Sequence, residues 1–141
     1  MSCNLIVEFE TFNFRDCFLL MADHNDLGNI GEERAQAYLR SKGYHILHTN
    51  WKAGKLELDI VARKDDWLVV VEVKTRSTET FEHPEEAINL RKIRNIVNAT
   101  HQYIFQFDWH GETRFDVVSV IPHGQEFIID HIEDAFLSPV N

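Results

Sequence analysis

The sequence has few cysteines, the residues whose disulfides cross-link small secreted proteins, and it has no apolar run long enough to cross a membrane. Its 141 residues include only two cysteines, Cys3 and Cys17, with no zinc-binding spacing and no disulfide framework. No apolar run approaches the roughly 20 residues that a membrane span needs. These absences exclude a disulfide scaffold, a zinc finger and a membrane-spanning helix. We therefore expect a cytoplasmic protein with no membrane partner.

Positive charge is also scarce in this chain. Lysine and arginine total 14 against 23 aspartates and glutamates, which gives a formal net charge of −9 at pH 7. This balance counts against broad non-specific DNA binding, which a basic surface usually drives. It does not exclude a nuclease, because carboxylates that hold Mg²⁺ add to the acidic count and a local basic patch can grip the backbone. Many acidic proteins, however, bind no nucleic acid.

The composition fits one domain with one core. The mass is 16.5 kDa and 44% of the residues are apolar. Residues 1–20 lack the basic n-region and cleavage site of a signal peptide. We interpret them as an N-terminal extension or as a translation start assigned too far upstream of Met21, and residues 21–141 as a single domain. The alternative is an extra strand from Leu5 to Phe14.

Hydrophobic periodicity and turn residues predict a mixed α/β domain in the order α-β-β-β-α-β-β. Asn25 or Asp26 is predicted to cap the first helix, Gly43 to end it, and Pro84 to begin the second. The predicted helices cover residues 27–42 and 85–106. The predicted strands cover residues 44–49, 56–63, 67–75, 114–121 and 126–132.

The second and third strands carry the polar residues of most interest. Alternation along a strand places Leu56, Leu58 and Ile60 on one face, and Glu57 and Asp59 on the other. On the next strand, Glu72 and Lys74 lie opposite the face formed by the valines, which are Val69, Val71 and Val73.

The short polar link of residues 64–66 predicts an antiparallel hairpin. Pairing Arg63 with Leu68 places Asp59 opposite Glu72, and Glu57 opposite Lys74. Two facing carboxylates repel each other, and a hard cation such as Mg²⁺, or Mn²⁺, would relieve that repulsion.

Such a cluster has the parts that phosphodiester hydrolysis requires. The Lys74 ammonium could orient a metal-bound water or stabilise the developing negative charge on the phosphate. Glu32 follows the same helical stripe as Ala35 and Leu39, and would point inward as a further carboxylate.

Each of these residues also has a structural interpretation. Glu57 with Lys74 could be an ordinary cross-strand ion pair, and Asp59 and Glu72 could be solvated. Glu32 could simply favour the positive end of its helix dipole. Asp116 is a candidate buried acid that caps a loop. Four cations are candidates for nucleic-acid contacts, although a solvated face also explains those on the second helix. They are Arg76, Arg91, Lys92 and Arg94.

The spacing of Asp59, twelve residues, and then Glu72-Val73-Lys74 resembles the PD-(D/E)XK nuclease signature. A wider pattern resembles the YraN-like bacterial proteins over about residues 21–136. The matching segments are Gly28-Asn29-Ile30-Gly31-Glu32, Gly43-Tyr44, Glu57-Leu58-Asp59-Ile60-Val61-Ala62, Val71-Glu72-Val73-Lys74-Thr75-Arg76 and Arg114-Phe115-Asp116-Val117-Val118. The chain departs from these patterns at Leu56, where the family usually has glycine, and at Leu58, where the nucleases often have proline.

YraN-like proteins are similar to archaeal Holliday-junction resolvases, which implies a restriction-endonuclease-like mixed sheet flanked by helices. The resemblance implies that Glu32, Asp59, Glu72 and Lys74 are active-site residues, with Asp59, Glu72 and Glu32 as metal ligands. It also implies a Mg²⁺-dependent endonuclease that acts on DNA, including branched DNA, and a homodimer, because the resolvases act as dimers. The alternative is a non-catalytic module on the same fold that binds a protein or nucleic acid.

Overall fold

The structure is a computed structural model that describes residues 24–76 and 88–138. The elements are α1 (His24–Ser41), β1 (His45–Ala53), β2 (Leu56–Lys64), β3 (Trp67–Thr75), α2 (Leu90–Phe107), β4 (Glu112–His123) and β5 (Glu126–Ile132). This order confirms the predicted mixed α/β class. The proposed extension of residues 1–20 lies outside the described residues. Within the described ranges, no helix is long and apolar enough to cross a bilayer.

All five strands form one mixed sheet in the order β1-β2-β3-β4-β5. Strands β3 and β4 are parallel, and the other neighbours are antiparallel. Parallel neighbours need a long crossover, and α2 provides it between β3 and β4. One core cluster joins α1 to one face of the sheet, and a second joins α2 to the other face. The sheet is therefore covered on both sides.

The predicted start of each helix is wrong. Helix α1 already begins at His24, so residues 25 and 26 lie within its first turn and not before it. Helix α2 begins at Leu90 and not at residue 85, because Asn89 is extended (φ −78°, ψ 162°) and its side chain accepts a hydrogen bond from the Lys92 amide at 2.9 Å. Asparagine is among the best N-caps, since its side chain satisfies an otherwise unpaired helical N–H. Pro84 lies outside the described residues.

The far half of α2 is held against β1 by aromatic side chains. The Tyr103 hydroxyl lies 2.7 Å from His48 Nδ1, and the Tyr103 ring packs edge-on against Trp51 with centroids 5.2 Å apart. Edge-to-face packing of this kind stabilises a pair beyond the area that it buries. With Asn89 defining one end and these rings the other, the rotation of α2 is fixed, so that Lys92 and Ile93 are half-buried in its first turn while Leu90 and Arg91 are exposed.

The predicted register of the β2–β3 hairpin is confirmed. Arg63 pairs with Leu68, and the ladder continues to Ile60 and Val71. Asp59 and Glu72 are the next residues beyond that last pair, on the same register. The valine face is also as predicted, because Val69 and Val71 are buried in the cluster beneath α1.

The predicted sharing of one face by Leu56, Leu58 and Ile60 is wrong. Leu58 belongs to the cluster beneath α2, whereas Ile60 belongs to the cluster beneath α1. The irregularity lies at Asn50 on β1, which adopts a left-handed φ of 49° between the flanking pairs Thr49–Ile60 and Trp51–Leu58. The regular alternation of the strand is lost at this point, and Asp59 lies at the break.

Gly31 allows α1 to approach the end of β3 more closely than any other residue could. A Cβ at this position would overlap Thr75 Oγ1 and lie 2.9 Å from Thr75 Cβ. We expect Gly31→Ala to destabilise the protein by about 1–3 kcal/mol, because either α1 or Thr75 must move. Urea denaturation of the variant and the parent measures the difference.

Gly28 on the same helix is the matched control. A Cβ there would meet no atom within 4 Å. Gly28→Ala should be neutral or stabilising by up to about 1 kcal/mol, because alanine has the higher helix propensity. Equal effects of the two substitutions would contradict the close approach of Gly31 to Thr75.

Candidate functional site

The centre of the site is the pair of carboxylates at the end of the β2–β3 ladder. The backbone N–H of Val73 donates to Asp59 Oδ2 at 2.9 Å, which fixes the Asp59 side chain against β3. Glu72 lies beside it and is 5% exposed. Burial, and after it the neighbouring Glu72 carboxylate, raise the pKa of Asp59 to about 7. Asp59 therefore loses its proton less readily in the folded protein than in the unfolded chain.

Two lysines from different elements approach the Glu72 carboxylate. Lys92 Nζ on α2 lies 3.1 Å from Glu72 Oε1, and Lys74 Nζ on β3 lies 3.9 Å from the same oxygen. Burial alone would lower the pKa of Lys92, but the attraction of Glu72 raises it above its usual value. Both ammonium groups thus offset part of the negative charge of the pair.

Glu32 lies at the edge of this cluster and does not join it directly. Its Oε2 accepts a hydrogen bond from Asn50 Nδ2 at 3.0 Å. The β1–β2 pairs on either side place Asn50 next to Asp59. Glu32 is therefore bound to the residue that lies beside Asp59 in the sheet.

A buried hydroxyl beside Lys74 has no partner in the described part of the protein. Ser119 is paired with Lys74 in the parallel β3–β4 ladder and is 1% exposed. Its Oγ makes no hydrogen bond to any residue that the structure describes. A buried polar group without a partner is costly, so this hydroxyl is suited to a water or a ligand oxygen at the site.

The donor set fits a hard divalent cation. Within residues 24–76 and 88–138, no three His, Cys, Asp or Glu side chains come close enough to hold a metal together. Mg²⁺ does not need three, because it is commonly bound by one or two carboxylates with water and substrate phosphate completing its shell. Asp59 and Glu72 supply two carboxylates, and a cation would relieve both main causes of the raised pKa of Asp59, which are the burial of its charge and the repulsion by Glu72.

The remaining predicted cations lie in two places. Arg91 and Arg94 are exposed in the first turns of α2. Arg76 directly follows β3, is half-buried, and donates its backbone N–H to Val120 O at 3.0 Å. Lys92 is the member of this group that faces the carboxylates. The sequence pattern groups Lys92 with its exposed neighbours Arg91 and Arg94. Only the rotation of α2 about its axis turns Lys92 towards the carboxylates, and the pattern does not give that rotation.

Asp116 is a structural residue, as one of the sequence interpretations held. It is fully buried, and Arg114 donates to both of its oxygens at 2.8 Å. His131 Nε2 lies 2.8 Å from Asp116 Oδ2, and the Asp134 N–H donates to Oδ1 at 3.1 Å. These contacts hold the chain after β5 against β4. Burial would raise the pKa of Asp116, but the hydrogen bonds from His131 and Arg114 hold it below its usual value.

Sheet and site together define a class. The protein is an α/β protein with a five-stranded mixed sheet flanked by two helices, and its polar centre is the Asp59–Glu72 carboxylate pair, with two lysines approaching Glu72. The model of the uncharacterised protein family UPF0102 matches residues 31–120. The chain belongs to this family, the YraN-like group that the sequence resembles.

Bacterial relatives match over almost their whole length. A UPF0102 protein of Bacteroides thetaiotaomicron is 50% identical over 120 residues, which is 85% of this chain and 99% of the relative. A UPF0102 protein of Parabacteroides distasonis is 50% identical over 119 residues, covering 84% and 98%. One from Flavobacterium psychrophilum is 47% identical over 116 residues, covering 82% and 98%. Their names state the family and no activity.

Proposed function

We propose that this protein is a Mg²⁺-dependent endonuclease that hydrolyses phosphodiester bonds in DNA, including branched DNA. The observation that carries the proposal is the Asp59–Glu72 pair, in which burial and the adjacent Glu72 carboxylate raise the pKa of Asp59 to about 7. Replacing one of the two acids by an uncharged residue would remove their repulsion and stabilise the metal-free protein. A pair of acids that lowers stability in this way is typical of a site that uses both of them. A bound Mg²⁺ or Mn²⁺ would supply a Lewis acid and acidify a water at this point.

Residues of this chain would order the site and stabilise the charge that develops on the phosphate. Asp59 is fixed by the Val73 amide and Glu72 by Lys92, so neither carboxylate has to be ordered when substrate arrives. Lys74 places an ammonium on the same side as Glu72, where it can attract a phosphate oxygen and stabilise the negative charge that develops during in-line attack by water. Glu32, one side chain away, would act through Asn50 to set the position of the outer water shell.

Helix α2 offers a local source of positive potential on a chain with a net charge of −9. Its first turn contains no acidic residue and carries Arg91 and Lys92, with Arg94 following. Cations at a helix N-terminus are unfavourable beside the positive end of the dipole unless an anion is near. Glu72 is one such anion, and a DNA phosphate would be a second. We therefore propose that the phosphate backbone of DNA is contacted by Arg91, Arg94 and Arg76.

A cleavage assay on linear, flapped and four-way-branched DNA tests the proposal. Wild-type protein with Mg²⁺ or Mn²⁺ should cut at least one of these substrates. Asp59→Asn, Glu72→Gln and Lys74→Ala should each lower the rate by at least about 100-fold, since each removes a group that acts at the reacting phosphate. Glu126→Gln, an exposed glutamate at the start of β5, is the matched control and should cut like the wild type.

The same assay addresses the alternative, a non-catalytic binding module, which the acidic charge of the chain favours. A folded wild-type protein that cuts none of the substrates and gains no thermal stability from Mg²⁺ or Mn²⁺ would overturn the nuclease proposal. Cutting that persists in all three site variants would point to a contaminating activity and would overturn it as well.

A further inference from the structure

Lys92 differs from the other cations of α2 because its ammonium faces the carboxylate pair. It lies 3.1 Å from Glu72 Oε1, within the range of a charge-assisted hydrogen bond. Lys74, the lysine next to Glu72 on the same strand face, comes only to 3.9 Å. The nearest partner of a glutamate that is 5% exposed therefore comes from the crossover helix.

The charges around Lys92 indicate that it serves the whole cluster. Glu72 contributes the strongest attraction, and Asp59 and Glu57 add to it, so that the lysine pKa is raised although burial alone would lower it. The backbone N–H of Lys92 is itself bound by the N-cap Asn89 at 2.9 Å. The base of the side chain is thus fixed by the cap, and its end is fixed by the carboxylate.

We propose that Lys92 is the internal counter-ion of the carboxylate pair. It holds Glu72 in position in the metal-free protein and leaves that carboxylate when a divalent cation binds. The proposal deepens the proposed function and rests on its metal site, but it assigns to Lys92 a positioning role that a phosphate contact alone would not require.

Electrostatics gives the physical reason for the exchange. A buried glutamate left beside Asp59 without a cation would pay for desolvation and repulsion together. An ammonium at 3.1 Å relieves both while the site has no metal. A dication bound by the same oxygens would repel that ammonium, and the flexible lysine stem allows it to move away. The freed ammonium would then be available to bind a substrate phosphate. In this way the same lysine would make the observed ion pair without metal and the predicted phosphate contact with metal bound.

Mn²⁺ affinity measured by calorimetry tests the proposal without relying on cleavage. Lys92→Met removes the competing charge and should tighten Mn²⁺ binding by about tenfold, the scale on which neighbouring groups tune metal sites. The same variant should be less stable than the parent in the absence of metal, because Glu72 loses its partner. Lys52→Met removes an exposed lysine from β1 and is the matched control, for which neither quantity should change.

A lysine that is only structural would lower stability without tightening Mn²⁺ binding, and that result, or weaker binding, overturns the proposal. If Lys92→Met does not fold, NMR spectroscopy of the wild-type protein tests the exchange instead. The Lys92 side-chain ammonium should give a protected NMR signal in metal-free protein that is lost on adding Mg²⁺, and a signal that persists at saturating Mg²⁺ overturns the exchange.

The two proposals fail in different ways. Absence of DNA cleavage with normal Mn²⁺ binding and a tighter Lys92→Met variant would reject the nuclease and leave the counter-ion role in place. Absence of Mn²⁺ binding by the wild type would reject the metal site and the exchange together. Cleavage by a wild type whose Lys92→Met variant binds Mn²⁺ no more tightly would reject the counter-ion role alone.

Discussion

Asp116→Ala is expected to destabilise the protein by about 3–5 kcal/mol, because it removes the fully buried acid to which both Arg114 and His131 are bound. Arg114 and His131 are 17% and 6% exposed, and both lie 2.8 Å from the Asp116 oxygens. That loss is a large part of the total stability of a domain of this size. Urea denaturation at neutral pH measures it.

Two further variants separate the charge from the hydrogen bonds. Asp116→Asn keeps an acceptor for Arg114 and should lose less stability than the alanine variant, and it remains measurable if the alanine variant does not fold. Glu133→Gln removes an exposed carboxylate 3.6 Å from Arg114 and should cost under about 1 kcal/mol. A loss for Asp116→Ala as small as that for Glu133→Gln would contradict the structural role.

Asp59→Asn is expected to change stability and metal binding in opposite directions. Without metal at pH 8, the variant should be more stable than the wild type, because an uncharged amide replaces a carboxylate whose pKa is raised to about 7. Asparagine retains an oxygen that can accept the Val73 N–H, so the local hydrogen bond is preserved. With Mg²⁺ or Mn²⁺, the wild type should gain thermal stability and the variant should not.

The pH dependence of this difference follows from the direction of the pKa shift. Between the ordinary aspartate pKa of 3.8 and about 7, the folded protein binds more protons at Asp59 than the unfolded chain does. Wild-type stability relative to Asp59→Asn should therefore fall as pH rises through this window, with a slope of at most about 1.4 kcal/mol per pH unit, and level off above it.

Melting temperatures of both proteins in chelator from pH 4 to pH 8 provide the test. Parallel curves for wild type and Asp59→Asn across the window would show that Asp59 does not carry the strain assigned to it. Glu126→Gln provides the control, since this exposed side chain is distant in sequence from the pair and should leave the curve unchanged.

The parts of the site that lie within the β2–β3 hairpin could be predicted from the sequence. Alternating valines, a short polar link and the apolar requirement of a buried face allow only one register, and Arg63 does pair with Leu68. That register is enough to bring Asp59 next to Glu72. The inward stripe of α1 was equally accessible, because Ala35 and Leu39 follow helical spacing and both are fully buried.

Features that depend on distant backbone geometry could not be predicted. The change of face between Leu58 and Ile60 arises beside the left-handed Asn50, a residue on a different strand. The inward direction of Lys92 depends on where α2 begins and how its rings pack on β1. Asn89 was the one available signal, since an asparagine three residues before Lys92 is typical of a helix cap. The proline at position 84 favoured an earlier start of α2, and for that reason the cap at Asn89 was not predicted.

The irregular backbone of β1 also bears on how the protein avoids self-association. Among residues 24–76 and 88–138, strand β1 pairs only with β2, and the outer edge of such a strand is the usual template for intermolecular strand addition. The register shifts between Ile46 and His48, and the strand is interrupted again at Asn50, so its nine residues offer no long flat edge to a second chain. The same asparagine that neighbours Asp59 and binds Glu32 therefore also makes this edge of the sheet a poorer template for strand addition.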